Sequence, residues 1–424
     1  MTDVLIIGGG VAGIEAALKT ADNGIHVHLV EREPSIGGRM SQLDKTFPTN
    51  DCSMCILSPK MVDVVRHPLI TVYTCSEVTD VTGEKGNFIA TIRKNPRYID
   101  EDICNGCGDC IEICPVEVYN RYDAGMGIRK AIYKPHPQAV PDIVVKDEEH
   151  CIECGLCYDV CGLNAIKKED TPRVITIHAS AIILATGYQV FNPETRPALN
   201  YKTHPDVITG IELERLINAS GPTKGIIKCP SSGKEPENIA FIQCVGSRNM
   251  AIGRPYCSCV CCMAAIKNSI LIREKHPETS LTIFYIDIRT YGKGYEEYYN
   301  RAISLGVKFI RGLPSEVTIG REGLTIVAEN TENGEIITMH PDLVVLSAGM
   351  EPSGTTFRMA EMLGIDIDLN GFVAVKNEAL DPVATSIPGI YVAGTATAPK
   401  DIPDCVAFAG AAALRAVTDA RKVS

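Results

Sequence analysis

The stretch VLIIGGGVAGIEAA, residues 4–17, decides the fold. Four apolar residues, the length of a buried strand, run into three glycines and then into an alanine-rich helical run. The spacing Gly8-x-Gly10-x2-Gly13 is the turn a dinucleotide pyrophosphate requires. Gly8 makes the turn, Gly10 lets the phosphates approach the backbone, and Gly13 lets helix and strand pack closely. The phosphates then meet a helix N-terminus, where free N–H groups and the dipole favour an anion. A second strand, HVHLVERE, follows at 26–33, and Glu31 ends it, placed to accept from the ribose hydroxyls of an adenosine. Strand, glycine turn, helix and strand make the first unit of a doubly wound α/β sheet.

The continuation from Glu31 and Arg32 to Gly38 and Arg39 resembles the second phosphate-side loop of the two-dinucleotide-binding flavoproteins. FAD is therefore the expected cofactor, held by Gly8, Gly10, Gly13, Glu31, Arg32, Gly38 and Arg39. NAD in this site, or a purely structural loop, are the alternatives. Ala185-Thr186-Gly187 reads as the turn that closes the first lobe, after one strand VITIHASAIILATG, and Gly394 belongs to a late VAG turn that returns to it. Such flavoproteins usually place an aspartate after that turn. Here Gly394 is followed by Thr395, so the ribityl contact must be made otherwise.

Two cysteine runs lie inside this pattern, Cys104-x2-Cys107-x2-Cys110-x3-Cys114 and Cys151-x2-Cys154-x2-Cys157-x3-Cys161. Each matches the spacing that wraps a [4Fe–4S] cluster, with the fourth cysteine of each run serving the other cluster. One predicted ligand set is Cys104, Cys107, Cys110 and Cys161; the other is Cys151, Cys154, Cys157 and Cys114. Zinc sites, which usually pair two short Cys-x2-4-Cys hooks, and disulfides are the alternatives. The expected fold is a two-lobed, doubly wound flavoprotein of the thioredoxin/glutathione-reductase kind with an inserted two-cluster ferredoxin domain. The expected boundaries are 1–96 for the first part of the FAD lobe, 97–170 for the insert, 171–235 for the second part of the FAD lobe, 236–350 for a second Rossmann-like lobe, and 351–424 for the C-terminal part of the FAD lobe.

At 424 residues the chain is long enough for two or three domains with buried cores. Eighteen cysteines and a first strand at Val4 with no leader before it predict a reducing cytoplasm, where cysteine clusters bind metal. No apolar run approaches the roughly 18–20 residues of a membrane helix. A net charge of −11 without a long basic block argues against direct binding of nucleic acid or an acidic membrane surface. Membrane association is expected only through another subunit.

In the second lobe the strand NIAFIQ runs into Cys244 with no second glycine fingerprint. PYCSCVCCM follows at 255–263, so cysteines stand where nicotinamide phosphates would need glycines. Thiols near a helix start suit a metal cluster, with inert core cysteines or a Cys259/Cys262 dithiol as alternatives. Cys75, Cys229, Cys259 and Cys405 read as buried small hydrophobes.

These motifs, with TFPTNDCSMCILSPKM (46–61), RKAIYKPHPQAVP (129–141), FIQCVGSR (241–248), GKGYEEYY (292–299) and PKDIPD (399–404), carry a resemblance to the A-type subunits of heterodisulfide reductase that extends to about residue 415. The resemblance implies a third [4Fe–4S] cluster on Cys244, Cys257, Cys261 and Cys262. It places Lys267 near the flavin ring as a stabilising cation, a solvated helix lysine being the other reading. It implies an oxidoreductase subunit that passes one electron of each pair to ferredoxin and the other to a disulfide-reducing partner, by bifurcation or confurcation. Expected partners are heterodisulfide-reductase B- and C-like subunits, an electron-donor subunit of hydrogenase or formate dehydrogenase type, ferredoxin, and a second copy of the chain in a homodimer core. Full-length relatives carry further domains before the flavin fingerprint and after the last helix, so a short form is expected, its missing wires supplied by partner subunits. Cys52 and Cys55 read as half of a fourth cluster with outside ligands, as a redox dithiol, or as structural thiols. A stand-alone NAD(P)H-dependent disulfide reductase and a non-bifurcating relay are the competing functions.

Overall fold

The computed structural model describes residues 3–321 and 323–423. The chain forms two compact units, one from Met1–Ser41, Met54–Tyr188 and Pro352–Ser424, the other from Gln42–Ser53 and Gln189–Glu351.

In the first unit β1 (Val4–Ile7), β2 (Val27–Val30) and β3 (Ile70–Tyr73) are parallel, with α1 (Val11–Asp22) crossing from β1 to β2. β4 (Ser76–Glu84), β5 (Asn87–Lys94) and β6 (Arg173–Ala179) form a three-stranded antiparallel sheet, and β7 (Ala181–Leu184) returns to the parallel one, whose order is Ile390–Val392, β7, β1, β2, β3. The two-residue period of β1 divides the core. Val4 and Ile6 pack with Ala16, Ala17 and the alanines of the last helix, Ile402–Val423, while Leu5 and Ile7 pack on Phe88, Ala90 and Ile92 of the antiparallel sheet. Both faces are covered, so β1 reads as an unbroken apolar run.

Two local expectations need correction. VITIHASAIILATG is two strands, because Ser180 donates from both its N–H and its hydroxyl to the Asp3 carbonyl and turns the chain from one sheet into the other. Glu31 lies one residue past the end of β2 rather than on it.

The cysteine-rich insert leaves the antiparallel sheet after β5 and re-enters at β6, between the directly paired Lys94 and Arg173. It consists of short antiparallel pairs, Glu117–Tyr119 with Ile128–Lys130 and Ile132–Tyr133 with Val145–Lys146, and the short helices Asp109–Ile113 and Leu156–Val160.

The second unit holds a parallel sheet of β8 (Val207–Thr209), β9 (Asn238–Val245), β10 (Ser280–Tyr285), β11 (Lys308–Arg311) and β12 (Leu343–Ala348), in the order β8, β12, β9, β10, β11. α2 (Gly210–Ile217) starts at a capping box in which Thr209 and Glu212 satisfy each other's backbone N–H groups. α3 (Cys261–Lys275) follows β9. Among the described residues no helix is long and apolar enough to cross a membrane.

Candidate functional site

The nucleotide turn is built by close approach. Gly8 has φ +111°, and a Cβ there would lie 2.2 Å from the Ala185 carbonyl oxygen. A Cβ on Gly13 would lie 1.8 Å from the Gly8 oxygen, so α1 meets β1 only without a side chain at that position. Gly10 is the N-cap of α1 and carries no side-chain cap. Its Cβ direction is open to 4.0 Å, where Gly38 begins, and Gly394 faces Ala12 of the same helix turn. Glu31 is buried and accepts from Gly9 N–H at 2.6 Å and Glu33 N–H at 2.9 Å. Burial pushes its carboxyl pKa up, against the pull of these two bonds. Gly8, Gly10, Gly13, Glu31, Gly38, Ala185 and Gly394 thus converge on the start of α1. Thr186 sits beside them, sharing a 2.7 Å hydroxyl contact with Thr356, and Gly187 turns the chain away at φ +69°. Arg32 and Arg39 are exposed, Arg32 donating to Thr355. A glycine-lined helix start with a buried acceptor beside it fits an adenine dinucleotide.

In the insert both short helices begin after a left-handed glycine, Gly108 and Gly155, so each run wraps in the same way. Cys114 of the first run lines one cavity with Cys151, Cys154 and Cys157 of the second, the crossed set expected from the spacing. Cys104 and Cys107 act electrostatically on Cys110, and burial above all raises the Cys110 thiol to about 12. Cys161 lies after the second helix and accepts from Ala165 N–H at 3.4 Å, as Cys151 does from Glu153 N–H. Among the described residues no three thiols lie within 4.8 Å of one another, the compactness a single ion requires. The insert also grips the loop after β2: buried Arg97 donates to the Pro34 carbonyl and Ser35 accepts from Val140 N–H, while Arg97 also donates to Thr74, just past β3, and to the Val144 carbonyl within the insert.

In the second unit β9 shifts register against β12 between Ile242 and Val245, and within that bulge Cys244 has φ +58°. Bulges re-aim side chains, and a non-glycine residue held there marks a constrained site. Cys244, Cys257, Cys261 and Cys262 all act on one another electrostatically. Burial raises Cys244 to about 11 and pushes Cys261 and Cys262 up as well. Cys257 goes the other way, to about 6, because Cys259 hydrogen-bonds to it. Four crowded thiols that repel as anions form a donor set a metal would relieve. Cys75, Cys229 and Cys405 are buried, but Cys259 is not: half-buried at φ +61°, it donates its N–H to Cys257 Sγ at 3.3 Å.

Lys267 is buried and not a solvated helix lysine. It pairs with Glu214 and donates to the Lys45 carbonyl at 3.1 Å, while Asp44 N–H donates to Glu214 at 2.9 Å. Glu214 is not legible in the sequence as a functional residue, nor is Arg248, which pairs with Asp287 and draws the neighbouring Cys244 and Cys257 thiols toward ionisation. The Cys-Val-Gly-Ser-Arg run is the only signal for Arg248. Cys52 is half-buried and paired through its backbone with Lys45 in the second unit; Cys55 is exposed on the helix Ser53–Arg66 and belongs to the first.

Residues 3–53 match the FAD dependent oxidoreductase family and residues 103–166 the 4Fe-4S dicluster domain. FAD and iron–sulfur clusters are thus the cofactors of these regions. Among solved structures the fold is similar to the thioredoxin reductase of Lactococcus lactis (TM-score 0.56, 16% identity, 100% of both chains) and that of T. acidophilum (TM-score 0.53, 14% identity, 99% of both). The chain is 55% identical over 417 residues to the second iron-sulfur A-type subunit of CoB–CoM heterodisulfide reductase in Methanopyrus kandleri, covering 98% of this chain and 64% of that protein. It is 50% identical to the A-type subunit of the H(2):CoB-CoM heterodisulfide,ferredoxin reductase of Methanothermobacter thermautotrophicus, covering 97% and 63%. It spans less than two thirds of the length of these curated relatives. Over the aligned residues, with its FAD turn, paired ferredoxin runs and second-unit cysteines, the chain belongs to the family of heterodisulfide reductase A-type subunits.

Proposed function

We propose that the chain is the FAD/iron–sulfur electron-transfer subunit of a heterodisulfide-reductase-type oxidoreductase complex in the cytoplasm. It would connect a hydrogenase- or formate-dehydrogenase-type donor, ferredoxin and disulfide-reducing B- and C-like subunits, around a homodimer core. The observation that carries this is the four mutually repelling thiols at 244, 257, 261 and 262, in the unit where a disulfide reductase would bind its nicotinamide. FAD supplies two-electron chemistry and clusters supply one-electron chemistry, so together they convert pairs into single electrons.

The chain's own residues supply position and charge. Gly8, Gly10 and Gly13 admit the pyrophosphate and Glu31 accepts from the ribose. Twelve cysteines make three ligand sets: Cys104, Cys107, Cys110 and Cys161; Cys151, Cys154, Cys157 and Cys114; and Cys244, Cys257, Cys261 and Cys262. The N–H groups of Glu153, Ala165 and Cys259 donate to the sulfurs of Cys151, Cys161 and Cys257 and would raise the potentials of clusters held there. Lys267, paired with Glu214, is proposed as the cation for the reduced cofactor on the family resemblance alone. Purification without tags under anaerobic conditions tests the assignment: co-purifying subunits of the named types support it, and a chain that stays alone while reducing a disulfide with NAD(P)H refutes it.

Two further outcomes follow. Glu31→Ala removes a charged acceptor from two N–H groups and from the ribose, about 1.5–3 kcal/mol, so FAD occupancy should fall roughly 10- to 100-fold in affinity, read by flavin titration. Cys104→Ala and Cys114→Ala should each remove about four irons, and the double variant about eight, because the two residues serve different clusters. A double variant that loses only four would assign each run to its own cluster.

A further inference from the structure

Asp3, His26 and His28 meet at the end of the first unit's parallel sheet opposite the glycine turn. Asp3 precedes β1, His26 precedes β2, and His28 is the second residue of β2. The same oxygen, Asp3 Oδ2, lies 3.2 Å from His26 Nδ1 and 3.1 Å from His28 Nε2. All three donor atoms fall within 4.8 Å of one another. Donors about 2.0–2.2 Å from a shared ion, at angles from square to tetrahedral, stand roughly 3.0–3.5 Å apart. The carboxylate already keeps that distance from each imidazole.

The remaining ring nitrogens are also held. His26 Nε2 is 3.2 Å from Thr71 Oγ1, and His28 Nδ1 is 3.2 Å from Tyr73 Oη, both on β3. Metal-ligating imidazoles are oriented by such a partner on the far nitrogen. The backbone is pinned as well: Ser180 donates to the Asp3 carbonyl at 2.7 and 2.9 Å, and Val4 N–H donates to the His26 carbonyl at 2.9 Å. The inner nitrogen of His26 is buried, and its contact with Asp3 lacks hydrogen-bond geometry, so hydrogen bonding within the trio leaves it unsatisfied. A cation between the three donors would satisfy it.

We infer that Asp3, His26 and His28 form a binding site for one divalent first-row transition ion, zinc by donor type, with solvent completing the coordination. Two imidazoles and one carboxylate suit zinc better than magnesium or calcium, which take oxygen donors, and the absence of thiolate from the trio separates it from the iron–sulfur chemistry. The four residues of β1 set it roughly 13 Å from the nucleotide turn, so its loss should leave FAD in place.

The test uses the anaerobically purified chain with its flavin and clusters, equilibrated with zinc and then dialysed against a weak chelator. Wild type should retain one zinc more per chain than either Asp3→Asn or His28→Gln, at unchanged iron and FAD content. Zinc-edge X-ray absorption on the wild type should give imidazole and oxygen donors without sulfur. Equal zinc in wild type and Asp3→Asn, no retained zinc, or sulfur-bound zinc overturns the inference. If His28→Gln loses FAD through misfolding, the near-isosteric Asp3→Asn and the wild-type absorption spectrum decide.

Discussion

Cys261→Ala should lower the iron content from the proposed total of about twelve to about eight per chain, while FAD and both ferredoxin-type clusters persist. The selectivity follows from where the ligands lie. The eight ferredoxin-type cysteines and the FAD turn belong to the first unit, whereas Cys261 starts α3 in the second, beside Cys262 and in electrostatic contact with Cys244 and Cys257. Removing one ligand of four leaves three thiols that still repel but no longer close a cluster. If these cysteines were inert core residues, truncating a half-buried thiol would leave iron unchanged at a cost of about 1 kcal/mol. Iron, sulfide and flavin analysis under anaerobic conditions separates the two. A variant retaining about twelve irons and transferring electrons normally would remove the third cluster from the proposal.

NADH and NADPH should fail to bleach the flavin of the isolated chain in stopped-flow experiments. A nicotinamide site would need a glycine turn between β9 and α3. Here β9 ends in a bulge that holds Cys244, and in the connection that follows the Phe191 ring fills the space over Gly246, where a Cβ would lie 2.0 Å from the ring. α3 begins with two cysteines instead of a phosphate-binding glycine turn. Losing such a phosphate site is worth at least ~4 kcal/mol, about a thousandfold in affinity. Rapid bleaching at micromolar NADH would revive the disulfide-reductase alternative.

Local spacing makes the nucleotide turn and the two cysteine runs legible, because each is a short segment whose chemistry demands residues at fixed intervals. What escapes detection depends on contacts across long sequence separations. Lys267 meets Glu214 only because α2 and α3 belong to one unit, and their partners Asp44 and Lys45 arrive from a segment far closer to the N-terminus. Nothing in the run VITIHASAIILATG announces a break, since Ser180 is fixed by the carbonyl of Asp3 at the other end of the fold's first strand. Cys259 departs from expectation because burial follows residue type only on average, and its left-handed backbone keeps it half-exposed beside Cys257.

The pairing of Lys94 with Arg173 has a consequence for how such a protein could arise. Residues directly opposite in an antiparallel ladder sit about 5 Å apart, so residues 95–172 occupy the place of an ordinary hairpin turn. A host fold tolerates a foreign module at such a doorway, because the entropy of closing the loop grows only slowly with its length. A single recombination event at a hairpin tip would therefore suffice to wire an ancestral flavoprotein. Arg97, Ser35 and Val140 then act as stitches between graft and host. A transplant of this module into another flavoprotein would keep its dock against the loop after β2 only if the stitches travelled with it.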